Sequence, residues 1–239
     1  MTTEFNYEIS DTVFEMFPGY NRGVVVARGV TNGESPPELI ALLRAAESAV
    51  RDRVDKNEVA NHQQIAPWRD AFRSFGAKPG KYRSSIEAMV RRVLGGNEIP
   101  SINALVDIGN ALSLKYVVPM GGHAIDVVKQ DLRLRPAGGE ENFTAFGSDK
   151  TEHPKPGEII FTDGDIVLTR RWSWRQAKHT LTLPETTAIE FNIDGLPPLE
   201  PGVVEEICRE TGVCIQRFCG GETEFQLLNR ENPAMKIVL

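Results

Sequence analysis

The sequence predicts an α+β fold with a mostly antiparallel sheet and helices packed on one side. Two observations carry this. Between Pro36 and Pro119, apolar residues recur at helical spacing in four segments. From there to Pro201 the pattern changes to short alternating or fully apolar runs divided by Gly, Pro and Asp, and helices followed by strands indicate the α+β class. With 239 residues and 41% hydrophobic content, the chain can bury one main core. It reads as one domain in three parts: an N-terminal strand-and-helix layer over 1–60, a core over 61–195, and a C-terminal helix with strands over 196–239.

Each element has its own signal. After a Pro18-Gly19 turn, Gly23-Val-Val-Val-Ala27 is too short and too β-branched for a helix and predicts a buried strand. Pro36 and Pro37 open a helix with an apolar stripe of Leu39, Leu42, Leu43, Ala46 and Val50, leaving Arg44, Glu47, Arg51 and Asp52 outward. A second helix runs from Trp68 to Phe75 and stops at Gly76. The third starts at a capping box, Ser84 with Glu87, and ends at Gly95-Gly96. Ser101 is expected to cap the fourth, which turns Leu105, Ile108 and Leu112 inward. Strands follow at 132–135, 158–161, 165–170, 180–183 and 188–193, with Asp163-Gly164 as a hairpin turn. A helix over 202–210 and short strands at 213–217 and 224–228 close the chain, and residues 196–201 are the candidate linker.

Composition narrows the function. There is no G-x-x-x-x-G-K-[ST] loop, G-x-G-x-x-G, H-E-x-x-H or G-x-S-x-G, and the four histidines are scattered, so phosphoryl transfer and metal hydrolysis are weak readings and no metal or cofactor is expected. Cys208, Cys214 and Cys219 are odd in number and lack zinc spacing, which fits a reducing compartment. With neither a leader pattern nor a long apolar window, a cytoplasmic, membrane-free protein is expected. Net charge is −6, yet residues 69–92 hold seven bases against two acids, and residues 170–178 hold four bases, no acid, and Trp172 and Trp174. Folded together, the two segments would make a basic face for RNA; apart, they are ordinary solvated clusters.

The most informative stretch is Ile99-Pro-Ser-Ile-Asn-Ala-Leu-Val-Asp-Ile-Gly-Asn110, followed by Pro119-Met-Gly-Gly-His-Ala-Ile-Asp126. It resembles the run N-x-x-V-D-x-x-N, then P-x-H-A-x-D, of the B3/B4 domain in the beta subunit of bacterial phenylalanyl-tRNA synthetase, which hydrolyses wrongly charged tRNA. Matching begins near Trp68 and continues through Phe75-Gly-Ala-Lys-Pro79 and Lys81-Tyr-Arg-Ser-Ser85. This chain has two more residues between Pro119 and His123, Gly121 and Gly122. Residues 156–161 and 167–175 look like free-standing relatives of the domain, which lack aminoacylation machinery.

The resemblance implies an aminoacyl-tRNA editing hydrolase that releases a mismatched amino acid by positioning water and stabilising an oxyanion. In that picture His123, Gly121, Gly122 and Asn110 form the catalytic group. His123 positions a water or binds the terminal adenosine, and the two glycines open backbone N–H groups to the ester or else form a plain turn. Asp107 and Asn110 share a helix face and organise the glycine segment. Glu158, Trp172, Trp174 and Thr180 are the substrate-binding candidates; Glu158 resembles a glutamate that bonds the hydroxyl of a wrongly attached tyrosine. Trp172 and Trp174 share a strand face suited to stacking or to core packing. Lys81, Arg83, Ser85, Arg170, Arg171 and Arg175 are the tRNA-binding candidates, the first three at a helix N-terminus that favours phosphate. The partner is mischarged tRNA. The alternative is a module of the same fold that binds tRNA or an amino acid without catalysis.

Overall fold

A computed structural model gives the structure of residues 3–239. The chain runs β1 (Glu4–Ile9), α1 (Asp11–Met16), β2 (Asn21–Arg28), α2 (Pro37–Arg53), α3 (Ala66–Ser74), α4 (Ser85–Leu94) and α5 (Ala104–Tyr116). It continues through β3 (Met120–Ala124), β4 (Leu132–Pro136), β5 (Phe143–Thr144), β6 (Thr151–Glu152), β7 (Ile159–Asp163), β8 (Ile166–Arg170) and β9 (Arg175–Gln176). It closes with β10 (Ala188–Gly195), α6 (Pro201–Phe218), β11 (Glu222–Leu228) and β12 (Ala234–Val238).

The valine run of β2 shows how the layers arise. Successive strand residues face opposite sides, so Val24 and Val26 enter one core while Val25 and Ala27 enter another. A four-stranded sheet, β11-β2-β10-β3, is antiparallel throughout. One face carries α5 and α6 on Val25, Ile189, Phe191 and Ile193; the other packs on a six-stranded sheet, β12-β1-β4-β7-β8-β9, whose β1–β4 pair is parallel. The fold is therefore α+β and dominated by antiparallel pairing.

Several expectations need correction. Residues 213–217 are not a strand but the last turns of α6. Val204, Ile207, Cys208, Thr211, Gly212 and Ile215 are its buried residues, so the helical stripe runs on through the β-branched segment. Residues 180–183 form no strand; the Thr180 carbonyl instead accepts from Ala124 N–H and the Gln176 amide. Asn103, not Ser101, caps α5 by accepting from Val106 N–H at 3.1 Å. Glu47 is buried rather than outward, holding Ile99 N–H at 2.7 Å with Arg44 and Arg51 beside it. Strands β1 and β12, which pair with each other, and α1 were not expected.

Ser84 caps α4 by accepting from Glu87 N–H, which is one half of the expected capping box; the Glu87 carboxylate does not return to Ser84 but accepts from Arg69 at 2.6 Å and Arg91 at 2.9 Å. Among the described residues, no helix is long and apolar enough to cross a membrane. The three cysteines are free. Burial pushes the Cys208 thiol up to about 12 and the Cys219 thiol to about 11, which leaves both un-ionised at neutral pH.

Candidate functional site

Strand β3 is an edge strand of the four-stranded sheet, and its glycines are strand residues rather than a turn. Paired residues of adjacent strands share a face, so the β3–β10 register sorts the side chains. Gly122 opposes Phe191 on the face carrying α5. A Cβ on Gly122, or on Gly109 of α5, would stand 3.0 Å from the Phe191 ring, so two glycines make room for one aromatic. Gly121 opposes Asn192 and His123 opposes Glu190, on the face toward the larger sheet. The Gly122 carbonyl accepts from the Gln176 amide at 3.0 Å, which ties the β3 edge to β9.

Two adjoining cavities flank this edge and share Met120, Gly121, Trp174, Arg175 and Gln176. The outer one, about 620 Å³, is mostly apolar and runs along α5 past Val106, Asn110 and Gly122 to Leu181 and Phe191. Of the residues lining it, Ile102 and Phe146 are 63% and 65% exposed. The inner one, about 120 Å³, is bordered by Ser85, His123, Thr169, Ser173, Asn192 and Asp194.

His123 is buried between two partners. Its Nδ1 lies 2.7 Å from Glu190 Oε1 and its Nε2 lies 2.9 Å from Thr169 Oγ1. A carboxylate can only accept, so the hydrogen-bond pattern assigns the proton to Nδ1 and leaves Nε2 to accept from the threonine hydroxyl. Asn192 donates to the same Glu190 oxygen at 3.1 Å, while Glu190 Oε2 has no partner. Further along β10, Asp194 Oδ1 accepts from Arg22 Nε at 2.7 Å and from the Tyr20 hydroxyl at 2.5 Å. Burial disfavours the Arg22 charge, but Asp194 together with the Tyr20 and Tyr7 hydroxyls more than offsets this, so its pKa is raised above the ordinary value.

The other expected residues divide. Asn110 and Gly122 line the outer cavity, His123 and Ser85 the inner, and Gly121, Trp174 and Arg175 both. Trp172 touches the inner cavity but is packed among Phe17, Tyr20 and Trp68, all within 5.2 Å between ring centroids. Since β8 ends at Arg170, and Arg171 and Trp172 take left-handed backbone (φ 48° and 62°), the two tryptophans do not share a strand face. Thr180 is buried, with its hydroxyl unpartnered.

Glu158 borders neither cavity. Arg170 holds both its oxygens, at 2.8 and 2.9 Å, because a buried carboxylate is stable only when paired. Arg170 and Arg171 are buried for the same reason, and Arg171 is stacked 3.7 Å from the Tyr82 ring centroid. Lys81, Arg83 and Arg175 remain exposed. The fold does bring the two basic segments together, through Tyr82 on Trp174 at 5.0 Å and Ser85 N–H on the Ser173 carbonyl at 2.7 Å. Asp107 organises not the glycines but the entry to α5, accepting from Ser35 at 2.6 Å, from Ser101, and from Ile102 N–H at 3.0 Å.

Sequence reasoning missed Thr169, Glu190, Asn192 and Asp194. The last three had a signal: Glu190-Phe-Asn-Ile-Asp194 sets polar groups at period two, the mark of one strand face. Thr169 had none.

The B3/4 domain model matches residues 67–202, more than half of the chain and the span that carries β3, β8 and β10. The chain belongs to the B3/4 domain family. This B3/4 domain is also similar to the crystal structure of an N-terminal fragment of the phenylalanyl-tRNA synthetase beta-subunit from Pyrococcus horikoshii, with a TM-score of 0.46 and 9% identity. The similarity covers 91% of this chain and 49% of that one, so the domain spans about half the length of that fragment. No curated protein matches the chain. Among the described residues, no group of three or more His, Cys, Asp or Glu is placed to hold a metal ion.

Proposed function

We propose that this B3/4 domain is an aminoacyl-tRNA editing hydrolase that cleaves the ester of a mismatched amino acid. The observation that carries the reading is the junction of the two cavities. A mostly apolar chamber large enough for a nucleoside or a side chain meets, at the β3 edge, a small chamber bordered by Ser85, Thr169, Asn192 and His123, the last held by a buried carboxylate. An activated ester needs positioning and electrostatic help more than strong covalent chemistry, and this junction offers both. Gly122 has its carbonyl on the free edge of β3, and strand geometry puts its N–H on that same edge, toward an incoming ester oxygen. Arg175 borders both cavities, and the exposed Lys81 and Arg83 flank Tyr82, which stacks on Trp174 there, so the three are the candidates to meet acceptor-end phosphates. The substrate class is taken from the resemblance of the motif between Pro100 and Asp126, which lies inside the family match.

The test is release of amino acid from a panel of mischarged tRNAs, including non-protein amino acids. Hydrolysis of at least one is expected; an intact panel sinks the reading. One observation favours a second reading, a module that grips tRNA without turnover: both His123 nitrogens are engaged within the protein. Binding that survives His123→Ala, with no release in the wild type, selects it.

A further inference from the structure

We propose that Thr169 is the nucleophile of an acyl-transfer relay, with His123 as its base and Glu190 as the residue that positions the imidazole. The inference rests on the ester-hydrolase reading above and adds a covalent intermediate to it. Hydroxyl, imidazole and carboxylate stand in line at 2.9 and 2.7 Å, which is the arrangement that activates an alcohol. No sequence pattern exposes it, because the members come from β8, β3 and β10.

Two independent observations support it. The first is a register shift between β7 and β8. Phe161 pairs with Thr169 and Thr162 with Val167, so Leu168 is an extra residue on β8. In a regular strand Leu168 and Thr169 would face opposite ways. The bulge lets Leu168 pack in the core between the sheets while Thr169 turns to the same side and meets His123. The second is a set of hydroxyls without partners. Ser85 Oγ and Ser173 Oγ are shielded from solvent and unbonded, and both residues border the cavity that Thr169 and His123 border. Buried donors with nothing to bond are costly, and a developing oxyanion would satisfy them.

The steps balance without any further reagent than water. Thr169 Oγ adds to the ester carbonyl carbon as its proton passes to His123 Nε2. The tetrahedral intermediate expels the ribose oxygen, which takes that proton, and leaves an ester on Thr169. Water then adds to this carbonyl and gives a proton to Nε2. Collapse frees the amino acid, and Thr169 recovers the proton. Glu190, on Nδ1, stabilises the imidazolium formed in each half.

Two probes separate this inference from the reading beneath it: mischarged tRNA, and 4-nitrophenyl esters of amino acids, which need no RNA. The expected results are a nitrophenolate burst, an acyl mass on the peptide holding Thr169, and a fall in kcat on the order of 10³-fold or more in Thr169→Val. Thr169→Ser, which keeps a hydroxyl, should restore the adduct, and that guards against mere misfolding. Glu190→Gln should lower kcat far more than it alters KM. Turnover of tRNA with no adduct and with Thr169→Val at the wild-type rate overturns the relay and leaves the hydrolase. An adduct on Thr169 with every tRNA intact keeps the relay and removes the RNA substrate. Absence of both overturns both.

Discussion

At Glu141, burial disfavours the charged carboxylate, yet N–H groups of Gly138 and Gly139 at 2.9 Å and Arg135 at 2.5 Å outweigh it and lower the pKa to about 2. Because the folded value lies below the ordinary one near 4.5, the stabilisation is fully present above that pH and is lost as pH falls through about 2. Glu141→Gln should therefore unfold more easily at neutral pH by on the order of 1–3 kcal/mol, with the difference closing toward pH 2. Urea titrations at several pH values would show it, and a gap constant with pH would refute the linkage. Gly109 tests packing instead. Alanine gains about 1 kcal/mol of helix propensity, but its Cβ meets Phe191 at 3.0 Å, and overpacking costs about 1–3 kcal/mol. Gly109→Ala should be net destabilising and should push the ring toward the outer cavity, read as a lower melting temperature. Single residues were also where the site was least legible. His123 was visible from its motif, but its partners Glu190 and Thr169 lie 67 and 46 positions away. Glu158 had a family position but no visible obligation to Arg170, and that pairing is a fact of three-dimensional packing.

Element α6 shows why local pattern misleads and how it can be checked. Residues 213–217 carry Val, Cys and Ile, which suit a strand, and only the spacing of buried residues upstream reveals the helix. A strand would give Val213 and Ile215 the same fate and a helix opposite ones. On a strand they would share a face; on the helix Val213 is 63% exposed and Ile215 is fully buried. Ile215→Ala should cost about 2–5 kcal/mol, whereas Val213→Ala should be neutral or slightly stabilising through better helix propensity. Similar costs for both would argue against the helix. The elements legible from sequence, β2, α2, α4 and β10 among them, owe it to signals contained within one window: a β-branched run, a proline start, a cap with its glutamate. Strands β1, β3 and β12 carry no such internal signal. β1 and β12 are held by pairing with each other, and β3 by pairing with β10.

For the whole molecule, the basic clusters raise a question of sign, since a chain of net charge −6 repels polyanions at long range. Counting bases overstates the attraction. Arg170 is buried against Glu158 and Glu152, and Arg171 lies on Tyr82 and Trp174, so neither is free to meet a phosphate. Lys81, Arg83 and Arg175 are exposed; Lys81 lies over the Tyr82 ring and Arg175 near the Trp174 ring, and those two rings stack on each other. If these three each displace a counterion, the logarithm of affinity for tRNA should fall with the logarithm of salt at a slope near 2–3. Replacing all three with alanine should flatten that slope by the same amount, and replacing only Lys81 and Arg83, which border neither cavity, should flatten part of it while sparing hydrolysis of a nitrophenyl ester, because a small substrate needs no phosphate contact. Arg170→Ala should act differently. It strands a buried carboxylate, which costs about 3–5 kcal/mol, so the loss appears in folding before it appears in binding. Filter binding across a salt series, with unfolding measured on the same preparations, distinguishes the two effects. A triple variant that keeps the full salt slope would show that RNA does not approach from this side of the cleft.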